Sequence, residues 1–92
     1  MNPNKVFVEV LAKFNTEGKI IPVMIMWEDG SLYKIDKVVD VRPAPALRAG
    51  GQGDRYTVRI NGRERYIFFE RSPDIFGRNI GKWFIEKKRD IY

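Results

Sequence analysis

Hydrophobic and polar positions alternate along most of this chain, and the alternation breaks at residues that favour tight turns. The clearest case runs from Ile20 to Arg42. An apolar stretch, Ile20 to Trp27, meets Glu28-Asp29-Gly30, and a second alternating stretch follows from Ser31. Asp-Gly between apolar runs predicts a β-hairpin with a type I′ turn, which needs φ > 0 at both central residues. Centring the turn there pairs Trp27 with Leu32, Met26 with Tyr33, Ile25 with Lys34 and Met24 with Ile35. Opposed residues share a face of a sheet. One face then carries Met24, Met26, Tyr33 and Ile35, and the other carries Ile21, Val23, Ile25, Trp27, Leu32 and Val38. Both faces are apolar, so the expectation is a central hairpin covered on two sides, with Trp27 in the core.

The same pattern predicts the other elements. Lys5 to Phe14 alternates with Val6, Val8, Val10, Ala12 and Phe14 on one side, which describes a half-buried strand. Asn15-Thr16-Glu17-Gly18 supplies a turn. Pro22 cannot donate to a ladder, so it should face an edge, a bulge or the start of its strand. The alternation changes phase between Asp36 and Val39, which predicts a bulge or sharp coil that passes a strand from one sheet to the next. Pro43 to Gly53 reads as a long loop.

A second hairpin spans Asp54 to Arg71 and turns at Asn61-Gly62. Its register places Ile60, Val58 and Tyr56 opposite Arg63, Arg65 and Ile67, the core side, with the two arginines reaching water near the tip. The other face pairs Arg59 with Glu64, Thr57 with Tyr66 and Arg55 with Phe68. Ser72-Pro73-Asp74 has the form of a helix start with room for a single turn before Gly77 and Gly81. Lys82 to Glu86 is the last strand, and residues 1–4 and 87–92 are expected to fray. Six strands with short hairpins predict one all-β domain over residues 1–92. The expected form is a small six-stranded antiparallel barrel or sandwich, SH3-like first and OB-like second.

Composition narrows the chemistry. The chain has 92 residues, of which 43% are hydrophobic and 13% aromatic, enough for one small core. It contains neither cysteine nor histidine. Disulfides, thiolate metal sites and thiol catalysis are excluded, as is the commonest general base near neutral pH. Asp36, Asp40, Glu70, the lysines and the tyrosines remain as acid–base candidates, but no spacing joins them to a nucleophile. The expectation is a non-enzymatic protein with no metal and no cofactor. The longest uncharged apolar run, Ile20 to Trp27, is far short of the roughly 20 residues of a membrane helix. With no secretory leader pattern at the start, a cytoplasmic protein without a membrane partner is expected.

Charge adds a direction. The net charge of +5 lies wholly in residues 47–92, which hold eleven Lys/Arg against six Asp/Glu, whereas residues 1–46 hold six of each. Arg55, Arg59, Tyr66 and Phe68 fall on one face of the second hairpin, where cations could follow a phosphate track while aromatics stack on bases. Weak nucleic-acid binding through that face is the first functional expectation. The alternative is a protein-interaction or self-associating module, because interfaces also concentrate aromatics, Met and Arg.

Three stretches carry a family resemblance: residues 18–42 with Pro22, Trp27, Gly30, Tyr33, Asp36 and Arg42, then Gly50 to Ile60, and Trp83-Phe84-Ile85-Glu86. Together they resemble a family of small bacterial proteins of unknown function, common among Gram-positive anaerobes. The resemblance covers nearly the whole chain and implies the β-barrel fold, with no activity and no site attached.

Overall fold

The computed structural model describes residues 5–45, 52–71 and 80–87. They form seven strands: β1 Lys5–Phe14, β2 Ile20–Met26, β3 Leu32–Lys34, β4 Lys37–Pro45, β5 Gln52–Ile60, β6 Arg63–Arg71 and β7 Gly81–Glu86. Every pairing is antiparallel, and the sheet order is β3-β2-β1-β7-β6-β5-β4. The protein is all-β, a sheet curled into a half-barrel. Among the described residues no helix is long and apolar enough to cross a membrane.

Two stretches of chain produce the curl. β1 pairs with β7 through Lys5–Val8 and with β2 through Glu9–Phe14, so one strand serves two partners in succession. The second stretch is the segment expected as a single strand from Ser31 to Arg42. It splits at Ile35-Asp36 into β3 and β4, which lie at opposite ends of the sheet order although only two residues separate them. The Ile35 amide donates to Val23 O on β2 at 2.9 Å, and the Asp36 amide donates to Arg59 O on β5 at 2.8 Å. A phase change in the apolar pattern thus corresponds to a strand changing partners.

The concave side holds the core of Ile25, Ile35, Tyr56, Val58, Ile67, Phe69 and Trp83, with Val8, Val10, Ala12 and Ile85 packed against it. Val58 and Ile67 are wholly buried, each contributing about 1.5–3 kcal/mol. Trp83 is wedged between aromatic rings, 4.8 Å from Phe69 and 5.1 Å from Tyr56. The Tyr56 hydroxyl donates to Ile20 O at 2.8 Å, tying β5 to β2 across the core. Pro22 is buried opposite Ala12 beside a register shift, so the missing donor falls at a bulge.

The second hairpin has the expected register throughout, with Asn61 at φ 52° and Gly62 at φ 77° forming its turn. The first hairpin does not. Gly30 has φ 89°, but Asp29 is not in the left-handed region. The Gly30 amide donates to Trp27 O, and the Trp27 amide donates to Ser31 O. The Asp29 carboxylate accepts a hydrogen bond from the Ser31 amide at 2.9 Å, and the bonds from Ser31 hold its pKa below the ordinary value. This longer turn shifts the register by one residue: Met26 opposes Leu32, Ile25 opposes Tyr33 and Met24 opposes Lys34. A one-residue slip exchanges faces along a strand. Ile25 and Ile35 are therefore buried together, while Met26 and Leu32 lie on the convex face in water. The expected cover on both sides of this hairpin is absent among the described residues.

The loop expected over 43–53 is also shorter. Pro43 and Ala44 continue β4, opposite Asp54 and Gly53, and the ladder ends with Pro45 opposite Gln52. β4 ends the sheet order, so prolines spaced by two turn their missing donors away from the ladder. The helical turn expected after Ser72, and residues 1–4 and 88–92, lie outside the described residues. Lys87, expected to fray, places its Nζ 3.4 Å from Glu28 Oε1.

Candidate nucleic-acid interface

The β5–β6 hairpin positions every side chain of the candidate site. Alternation puts Arg55, Arg59, Glu64, Tyr66 and Phe68 on the convex face, as the pattern predicts. Their surroundings differ. The Arg55 guanidinium lies 4.5 Å from the centre of the Tyr66 ring, and its Nε is buried with no hydrogen-bond partner. Arg59 Nη2 sits 3.5 Å from Glu64 Oε2, directly across the ladder. Phe68 is stacked on Phe84 with ring centres 4.9 Å apart and planes 7° from parallel. Phe84 in turn meets Phe7 edge-on at 5.9 Å and has Lys5 Nζ 4.4 Å from its centre. Lys5 is itself paired with Glu70 at 2.6 Å.

Of the four expected residues, Tyr66 is the most available to a ligand. The residue is 55% exposed, with Arg55 covering one face of its ring. Phe68 spends a ring face on Phe84, and the charge of Arg59 is matched by Glu64. Arg55 and Tyr66 form one unit, while Arg59 and Phe68 are committed to neighbouring side chains.

The opposite face of the same hairpin tip holds two further arginines. Arg63 opposes Ile60 and Arg65 opposes Val58, both on the concave side. Both are exposed, and among the described residues neither side chain makes an ion pair or hydrogen bond. They border an open groove of about 1320 Å³. It forms because β6 pairs with β7 only through Phe68–Arg71, so residues 63–67 and 85–87 diverge. Trp27, Tyr33, Tyr66 and Ile85 line the same groove. Lys87 Nζ lies 5.9 Å from the Trp27 ring centre.

The sequence placed Arg63 and Arg65 at the tip but did not join them to Trp27 and Tyr33. The signal was present: arginines at positions whose period assigns them to the core mark a place where the concave side opens to water. Trp27 is half-buried and lines the groove rather than belonging to the expected core.

Among the described residues no three acidic side chains lie close enough to hold a metal ion. No known protein family, curated protein or solved structure matches the chain.

Proposed function

We propose that this protein is a non-catalytic binding module for single-stranded nucleic acid, working in the cytoplasm without metal or cofactor. The observation that carries the reading is the pair Arg63 and Arg65, which make no ion pair among the described residues, beside a groove lined by Trp27, Tyr33 and Tyr66. Guanidinium groups recognise phosphate oxygens, and flat aromatic rings accept any base by stacking. The site departs from the purely convex face expected of Arg55, Arg59, Tyr66 and Phe68 by turning around the hairpin edge. Tyr66 belongs to both surfaces, and Arg55 holds its ring in place from the convex side.

The connectivity supports an SH3-like barrel over an OB-like one. Strands consecutive in sequence pair with each other except β3 and β4, and β1 pairs with β7, an up-and-down order, whereas the OB fold is a Greek key. The non-catalytic reading rests on the lack of cysteine and histidine. The resemblance to small bacterial proteins of unknown function belongs to the same reading and adds no residue to the site.

The test is titration of a fluorescent single-stranded oligonucleotide at 50 and 200 mM salt. Two phosphates neutralised by Arg63 and Arg65 predict roughly a sevenfold loss of affinity over that range. The double variant R63E/R65E should abolish binding, and Tyr66→Ala should cost about 1–3 kcal/mol while leaving the salt slope unchanged. No binding at 50 mM salt overturns the reading.

A further inference from the structure

Away from the groove, the convex face of β1, β2 and β3 carries an apolar patch of a particular design. Its two rungs follow from the ladder. Glu9 opposes Met26, which opposes Leu32; Leu11 opposes Met24, which opposes Lys34. Leu11 is 63% exposed, Leu32 58% and Met26 40%. Each rung therefore has two apolar side chains and one charge, with the charges at opposite ends. Among the described residues Glu9 and Lys34 make no ion pair.

We infer that this face binds a second copy of the same chain. Face-to-face association by a two-fold axis in the contact plane reflects one projected pattern onto the other. Neighbouring strands are about 4.8 Å apart and same-face residues about 6.7 Å apart along a strand. On that grid an axis close to the Leu11–Leu32 diagonal brings Glu9 of one copy over Lys34 of the other, and symmetry makes the pair twice. The same axis sets Leu11 near its own mate and Leu32 near its own mate, with Met24 and Met26 filling the centre. An isologous contact requires a surface complementary to itself, and the diagonal placement of one acid and one base on a field of Leu and Met supplies it. Methionine adapts to such a packing because its side chain is unbranched and flexible. Six residues from each copy are well below the roughly 20–30 a side of a standard interface, so the dimer is weak and transient and its population depends on concentration.

Sedimentation equilibrium up to millimolar protein tests this directly, with circular dichroism showing that each variant is folded. Wild type should pass from monomer to dimer. E9K sets Lys opposite Lys34, and K34E sets Glu opposite Glu9, so each alone should weaken dimerisation by about tenfold or more. The double variant E9K/K34E should dimerise like wild type. Mixing the two single variants should also restore dimers, since all their facing charges are then opposite. A wild type that stays monomeric at millimolar concentration overturns the inference. So does a dimer whose affinity ignores these charges, because it must use another surface. Oligonucleotide binding involves the hairpin tip instead, and E9K should leave it unchanged.

Discussion

The amides of Ile35 and Asp36, adjacent in the chain, bond to strands on opposite sides of the sheet order, each next to an end: Ile35 to Val23 O on β2 and Asp36 to Arg59 O on β5. This step holds the curl closed. The Asp36 carboxylate also accepts from the Asn61 amide at 3.1 Å, fastening the second hairpin tip to the same place. Ile35 is buried and Asp36 is exposed. Ile35→Ala should therefore cost about 2–5 kcal/mol. Asp36→Ala loses one hydrogen bond at a wet site and should cost only about 0.5–1.5 kcal/mol. Urea unfolding midpoints of the two variants check the order.

The two tryptophans should separate stability from binding. Trp83 is 8% exposed and packed between Phe69 and Tyr56, so Trp83→Ala should cost about 3–5 kcal/mol. Trp27 lines the groove, and its loss should weaken oligonucleotide affinity while moving the unfolding midpoint much less. Equal destabilisation by both substitutions would place Trp27 in the core after all.

Two glycines should fail for different reasons. Gly30 has φ 89° and open space where a Cβ would lie, so Gly30→Ala should cost only the left-handed backbone penalty, about 1–2 kcal/mol. A Cβ at Gly81 would lie 2.5 Å from Phe69 Cζ and 2.6 Å from Glu70 O. The backbone oxygen cannot swing away, so Gly81→Ala should be the more damaging. Thermal unfolding of both variants shows which penalty dominates.

Stability should fall at alkaline pH through Tyr56. Burial raises its pKa above the usual 10.0, and the nearby Asp54 carboxylate adds to the effect. A folded-state pKa above the unfolded one gives a contribution that is complete below pH 10 and is lost as pH rises through the folded value. Tyr56→Phe should flatten this alkaline decline. It also deletes the bond to Ile20 O, costing about 1 kcal/mol near neutral pH. Unfolding midpoints from neutral pH upward, alongside the ultraviolet titration of tyrosinate, measure both effects.

The sequence by itself determined the all-β class, the place of most strands and one whole register. Asn61-Gly62 admits a tight two-residue turn, and from it every pair of the β5–β6 hairpin follows by counting, down to Arg55 opposite Phe68. It also determined where the fold bends, because the phase change after Asp36 is a local property of the apolar pattern. Asp29-Gly30 left the choice open: Gly30 takes its positive φ either in a type I′ turn or in the longer turn closed by Ser31. Burial of Ile25 and Ile35 favours the longer turn, since its register sends both to the concave side and the methionines out. Only the tertiary structure decided which charges are matched and which are free. Glu64 meets Arg59 within one hairpin and could be read from pairing, but Lys5 finds Glu70 across 65 positions of sequence. Arg63 and Arg65 come to border Trp27 and Tyr33 because β6 and β7 diverge, a relation between distant strands that no local pattern encodes.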